Sequence, residues 1–290
     1  MITRKATIID RVTKEDIETL YYTDKNSLNE IALILGCAYS TVHRLFDHYG
    51  IRKRTRREGR SLLFEKRSNV DVEFFKNDSP ELYYVLGLWA SDGCVTDGGT
   101  MSLSMTDCDV IQWVAQTIDY KNTIMQYKPK NSPNSKVTYS IVFTNNEVFH
   151  ILKERGITPR KSLSIRLPEI PYQYTKDFVR GVFDGDGSIY VGRRKDNNAR
   201  CQKFSLVSGS REFLEGLNSL IYDALQVGPC KITVDCRRAN PLYEIGVSKR
   251  EDVVKIAKWM YSGDAFGMAR KKTKMIALCD SEAVRRGVVG

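Results

Sequence analysis

Two segments of this chain repeat one pattern: Val85-Leu-Gly-Leu-Trp-Ala-Ser-Asp92-Gly93 and Val179-Arg-Gly-Val-Phe-Asp-Gly-Asp186-Gly187. Each reads as an apolar helical stretch with glycine at its third position, ending in an aspartate followed by glycine. The carboxyl end of a helix already carries partial negative charge, so an aspartate there is disfavoured unless a cation offsets it. The glycine after it is the residue type that ends a helix in the left-handed conformation. Two such ends brought together would set two carboxylates against each other, and a divalent metal is the natural remedy. The pattern therefore predicts a pseudo-symmetric metal site.

A chain of 290 residues with 42% hydrophobic residues can build more than one core, so two or three domains are expected. The net charge of +10 favours a polyanionic partner such as nucleic acid. Seven cysteines without a C-x-x-C spacing fit reduced thiols better than a disulfide framework or a zinc finger. No uninterrupted apolar stretch approaches the length of a membrane span and no signal-peptide core is visible at the start. Secretory and membrane readings are set aside, leaving a cytoplasmic protein, bacterial or phage-encoded.

Near the start, Thr13-Lys-Glu-Asp16 is a capping box that opens a short helix to about Tyr22. Ser27 to Gly36 reads as a second helix and Ser40 to Tyr49 as a third, closed by Gly50. Ile31, Ala32 and Leu35 match Val42 and Leu45 in helical period, so one face of each helix is buried. The whole resembles a helix-turn-helix unit, whose third helix enters the major groove. On that reading Tyr39, Ser40, His43, Arg44 and Asp47 point toward bases. The run Arg52, Lys53, Arg54, Arg56 and Arg57 behind it, continued by Arg60, Lys66 and Arg67, reads as a phosphate-tracking arm.

From Leu82 to Pro168 and from Lys176 to Asp280, one unit is written twice: helix, hairpin, helix, hairpin, helix. Met101, Leu103 and Met105 alternate with Ser102, Ser104 and Thr106, which predicts one covered and one open sheet face. Helices follow around Val110 to Ile118 and Val148 to Leu152, and in the second copy over Phe213–Leu225 and Asp252–Met260. Even the exits match: Pro159-Arg-Lys-Ser162 against Ala269-Arg-Lys-Lys272. Basic residues gather in the hairpins, Lys128, Lys130 and Lys136 in one copy and Arg193, Arg194, Lys195, Arg200, Lys203, Arg237 and Arg238 in the other. Two such sheets side by side predict a positive saddle that follows the major groove.

The paired motifs and the repeated order resemble a single-chain LAGLIDADG homing endonuclease over roughly residues 80 to 280. The segment from Phe178 to Gly187 is close to the family form. The resemblance implies an α+β fold: two pseudo-symmetric αββαββα subdomains forming a DNA-binding saddle, joined here to a small all-α helix-turn-helix domain. The boundaries expected are 1–52 for the helical domain, 53–79 for a basic linker, and 80–170 and 171–290 for the subdomains. It further implies that Gly87 with Ser91 and Gly181 with Gly185 let the motif helices meet, and that Asp92 and Asp186 are catalytic and bind Mg²⁺, with Mn²⁺ or Ca²⁺ as substitutes for binding. The main-chain carbonyls of Ser91 and Gly185 join them on this resemblance. The implied reaction is hydrolysis of both strands of a long double-stranded DNA target, by a monomer that needs no protein partner.

The first motif departs from the family in Ala90 and the bulky Trp89, at positions that do not ligate metal. The surrounding shell is less defined: Asp107 and Ser208 stand where the family often has glutamine, and Lys249, or else Lys161 and Lys271 from the matched exits, stand as the basic residue. Two alternatives use the same fold, a non-catalytic DNA-binding regulator and an RNA maturase. An intein reading is disfavoured by the first and last residues, and a His-Asn-His nuclease by three scattered histidines.

Overall fold

The computed structural model describes residues 12–59, 69–128, 135–237 and 239–285. It divides into two units, Met1–Arg67 and Ser68–Gly290, each with its own hydrophobic core. No helix among the described residues is long and apolar enough to cross a membrane.

The first unit is helical. Helix α1 (Lys14–Glu18) opens on the expected capping box: the Thr13 hydroxyl accepts from the Asp16 amide at 3.2 Å while the Asp16 carboxylate accepts from the Thr13 amide at 2.9 Å. The chain then widens into a π-helical turn, Thr19–Thr23. Ser27 and Glu30 repeat the box at the start of α2 (Leu28–Ile34). A short turn containing Gly36 at φ +61° leads to α3 (Tyr39–Tyr49), which ends at Gly50 with φ 64°. Ile17, Ile31, Val42, Leu45 and Phe46 are fully buried between the three helices. At about 1.5–3 kcal/mol per fully buried side chain, this cluster is what holds so small a unit together.

The second unit begins earlier than the sequence suggests. Residues 69–79 are expected as linker, yet α4 (Val72–Lys76) packs on α7 (Asn146–Glu154), with Phe75 fully buried. The main chain is also tied down, since the Asp71 amide donates to the Ile118 carbonyl and the Lys121 amide to that of Asn69, both at 2.8 Å. Alternating charges with Val70, Val72 and Phe75 concealed a one-sided apolar helix too short to show periodicity.

Two copies of one motif follow. The first is α5 (Pro80–Ser91), β1 (Gly93–Val95), β2 (Thr100–Met105), α6 (Cys108–Thr117), β3 (Met125–Tyr127), β4 (Thr138–Thr144), α7 and a 3₁₀ turn, Lys161–Leu163. The second is α8 (Thr175–Asp186), β5 (Gly187–Arg193), β6 (Arg200–Ser208), α9 (Arg211–Leu225), β7 (Ile232–Asp235), β8 (Leu242–Val247), α10 (Arg250–Met260) and α11 (Ala269–Arg285). The sheets are antiparallel and ordered alike, β1-β2-β4-β3 and β5-β6-β8-β7. In both, alternation sets the register: Met101 opposes Phe143 and Leu103 opposes Ile141, as Phe204 opposes Val247 and Leu206 opposes Ile245, all buried under helices. The other face carries hydroxyls, with Ser104 bonded to Ser140 at 2.7 Å and Ser188 to Ser205 at 2.8 Å.

Helices α5 and α8 lie against each other between the sheets. Every residue of α5 from Leu82 to Ala90 is buried, which explains its all-round apolar sequence. The crossing sits on Gly87 and Gly181: a Cβ on Gly87 would lie 2.9 Å from the Gly181 Cα and collide with the Phe178 carbonyl oxygen. The expected close approach of backbones is therefore present.

Candidate active site

The crossing brings the carboxyl ends of α5 and α8 together. Asp92 caps α5 at φ −91°, ψ −11°, and Asp186 is the last residue of α8. A Cβ built on Gly185 would fall 2.6 Å from the Ser91 Cβ and 3.2 Å from an Asp92 carboxylate oxygen, so the two motif ends touch. Burial and then the neighbouring Asp92 push the Asp186 carboxyl up to about 6. Asp92 is raised as well, by crowding of its carboxyl group against the helix end, although the residue as a whole is exposed.

The glycines that follow the aspartates have a different role from the one expected. Gly187 is extended, at φ −90°, ψ 163°, and Gly93 is not among the positive-φ residues. Each instead starts a strand that turns straight back along its helix. A Cβ would strike the Trp89 Cα at 2.5 Å in one copy and the Phe183 Cα at 2.7 Å in the other. Glycine is needed there for space, not handedness.

The chain answers the helix-end charge with its own cations. Lys161 Nζ, on the first exit, donates to the Gly93 carbonyl at 2.7 Å and the Ser91 carbonyl at 3.5 Å. Lys271 Nζ, on the second, donates to the carbonyls of Phe183, Asp184 and Gly185 at 2.6, 2.9 and 3.3 Å. Both lysines are buried, at 5% and 3% exposure, which lowers their basicity, that of Lys271 to about 8. A lysine at each end satisfies the orphan carbonyls of the last helical turn and opposes the dipole. The matched Arg-Lys exits are thus one device used twice.

The remaining shell candidates separate. Asp107 accepts a bidentate pair from Arg270, 2.7 and 3.1 Å, and raises Asp92 electrostatically, so it borders the site without donating to it. Ser208 is a buried turn residue whose hydroxyl accepts from the Ser210 amide at 3.1 Å. Lys249 is the cap residue of α10, where it pairs with exposed Glu251 at 3.3 Å. It is absent from the charges acting on either aspartate.

Several residues of the site escaped sequence reasoning. Asp184, fully buried, accepts from Tyr84 Oη at 2.8 Å, Tyr261 Oη at 3.4 Å and the Met268 amide at 2.8 Å. Arg270, joined by the Ala269 amide donating to Asp109 at 3.0 Å, pins the start of α11 to the first copy. Together these contacts aim Lys271 at the end of α8.

Among the DNA-facing candidates, Tyr39, Ser40 and Arg44 are exposed on α3, with Tyr39 Oη 3.0 Å from His43 Nε2. Arg44 lies 3.4 Å from the Thr41 hydroxyl. Part of the basic run is used internally: Arg52 pairs with Glu58 at 2.8 Å and Lys53 with Asp47 at 2.7 Å. Arg54 lies 3.9 Å over the Tyr21 ring and donates to the Asn26 carbonyl at 2.9 Å, while Arg56 and Arg57 are exposed. In the second unit Lys128, Arg193, Arg194 and Lys195 are exposed; Lys203 and Arg237 are exposed too, and pair with Glu244 and Asp235 at 2.7 Å each. Lys130 and Arg238, like Arg60, Lys66 and Arg67, lie outside the described residues.

A duplicated α+β unit whose two glycine-crossed helices end in adjacent aspartates defines a pseudo-symmetric class of protein. Residues 174–258 match the family model of a LAGLIDADG-like domain, and the chain carries such a domain there. Similar solved structures include the I-WcaI homing endonuclease bound to its DNA recognition sequence, at 12% identity over 78% of this chain and 96% of that one, TM-score 0.48. The I-LtrWI LAGLIDADG homing endonuclease bound to target DNA aligns at 12% identity over 76% and 94%, TM-score 0.45. The LAGLIDADG meganuclease I-AabMI bound to uncleaved DNA aligns at 16% identity over 72% and 93%, TM-score 0.45. A probable translation initiation factor IF-2 of Methanocaldococcus jannaschii is 28% identical over 153 residues. The match takes in 50% of this chain and 12% of that factor.

Proposed function

We propose that the chain is a site-specific DNA endonuclease that hydrolyses both strands of its target at the paired helix ends. The observation that supports this best is the apposition of Asp92 and Asp186, two carboxylates raised by burial and, at Asp186, by its neighbour. Among the described residues no group of three or more His, Cys, Asp or Glu side chains gathers. The donor set offered is two carboxylates and the carbonyls of Ser91 and Gly185, all hard oxygens suited to Mg²⁺. Each carbonyl keeps a lone pair beyond its lysine contact. When bound, a divalent ion would activate a water and stabilise the leaving oxygen.

The chain's own residues do the rest. Asp92 and Asp186 place negative charge on both sides of a pseudo-twofold axis, matching the two scissile phosphates of a duplex. Lys161 and Lys271 hold the helix ends rigid and keep the site near charge balance before metal arrives. The open sheet faces and the exposed hairpin cations Lys128, Arg193, Arg194 and Lys195 bind the flanking duplex. In the first unit α3 acts as the recognition helix of a helix-turn-helix, with Tyr39, Ser40, His43 and Arg44 reaching base edges and Arg56 and Arg57 phosphates. The protein acts as a monomer.

Three measurements follow. Chelation of divalent ions by EDTA abolishes cleavage but not specific binding; cleavage in EDTA counters the metal reading. Arg44→Ala shortens the footprint at one flank, and a footprint equal to that of wild type removes α3 from recognition. Asp107→Asn, which loosens Arg270 and through it Lys271, lowers the cleavage rate about ten- to hundredfold with binding retained, as expected for a residue one contact removed from a metal site. An unchanged rate means that Asp107 positions nothing.

A further inference from the structure

The second copy contains a cavity of about 390 Å³ that the proposed cleavage reaction does not use. Its position follows from the register of β5 and β6. Ile189 opposes Phe204, both buried under the helices, so the pairs two and four residues on, Val191 with Gln202 and Arg193 with Arg200, project from that same face. The hydroxyl-bearing face, with Ser188, Tyr190 and Lys203, is the other one. The cavity therefore opens on the helix-covered side of the sheet, beyond the end of the core.

Its lining is strongly one-signed. Arg193 and Arg200 stand directly opposite on neighbouring strands, an arrangement that like charges disfavour. Arg250 comes from α10 and Lys274 from α11, and no carboxylate lines the cavity. Arg193 and Arg250 donate to the carbonyls of Asn198 and Leu278, at 3.0 and 3.3 Å, which orients the guanidinium groups and neutralises nothing. Val191, Ala277 and Leu278 give the remaining wall an apolar character.

Four cations around an apolar wall, in a space within the range of small-ligand sites, fit a molecule with clustered phosphates and one flat apolar moiety. We propose that this cavity binds a small phosphorylated ligand of the nucleotide class, on the side of the sheet away from the DNA-facing hydroxyls. Arginine forks hold the phosphate oxygens in pairs and the base lies against Leu278 and Val191.

Calorimetric titration of the full chain in EDTA, with ATP, pyrophosphate, adenosine and a short duplex DNA, tests this. ATP binds saturably at one site, pyrophosphate more weakly, and adenosine not at all. The pair Arg200→Gln, Lys274→Gln weakens ATP at least about tenfold, since two charge-assisted contacts are lost. The charge-matched pair Arg56→Gln, Arg57→Gln in the other unit leaves ATP affinity unchanged. Both double variants keep the wild-type melting temperature, because all four side chains are exposed. Equal weakening by both pairs would show diffuse charge attraction and overturn the site. So would an absence of saturable ATP binding, or a loss confined to duplex DNA, which would assign the four cations to the DNA footprint.

Discussion

Asp186→Asn abolishes double-strand cleavage and, in metal-free buffer at neutral pH, makes the protein more stable. The two effects have one cause. Asp186 is ionised at neutral pH although burial and Asp92 hold its carboxyl up at about 6, so the folded state carries a charge it disfavours. The neutral amide removes that cost, for a gain of about 1–2 kcal/mol after allowance for partial solvent access, or several degrees in Tm. Cleavage falls by more than the ten- to hundredfold typical of residues behind a metal ligand, because a ligand itself is lost. Asp92→Asn behaves likewise for cleavage. A structural aspartate gives the opposite pattern: Asp184→Asn destabilises, since it weakens a buried acceptor that serves Tyr84 and the Met268 amide. Thermal melts in EDTA beside cleavage assays separate the two kinds of aspartate, and a fall in Tm for Asp186→Asn would contradict the role assigned here.

Gly181→Ala has the largest expected effect on folding. Its Cβ would collide with the Tyr84 carbonyl oxygen and lie 3.0 Å from the Gly87 Cα and the Leu88 amide nitrogen. All three are main-chain atoms in helix α5, so no rotamer change relieves the contact and the helices must part along their length. Overpacking by one methyl commonly costs about 1–3 kcal/mol, and a rigid backbone partner places this case at or above the upper end. Gly98→Ala is the control, its nearest neighbour being the Thr96 hydroxyl at 3.8 Å, and is expected within about 0.5 kcal/mol of wild type. Denaturant titration of both measures the difference. A Gly181→Ala protein as stable as Gly98→Ala would mean that the helices do not cross where the glycines lie.

The sequence shows these positions because both depend on local pattern. Alternation fixed the faces of β2 and β6, capping residues fixed the start of α1, and the doubled motif located the crossing and the two aspartates. The matched exits pointed to Lys161 and Lys271, though spacing alone could not choose them over Lys249. Hidden from the sequence were the contacts made across long separations. Asp184 meets Tyr84 and Tyr261, and Asp107 meets Arg270, through tertiary packing that leaves no periodic trace. The motif glycines were legible as necessary but not for the right reason, since a tight helix-to-strand turn and a left-handed cap demand the same residue.

The central claim is tested most directly by incubating wild type and the Asp92→Asn, Asp186→Asn double variant with a library of randomised duplexes and Mg²⁺, and sequencing the ends formed. Wild type yields one family of related sites cut on both strands, and the double variant yields none while still retaining those duplexes on binding. Specific retention without any cut by wild type would contradict the account and leave a DNA-binding protein in which the two aspartates hold no catalytic metal.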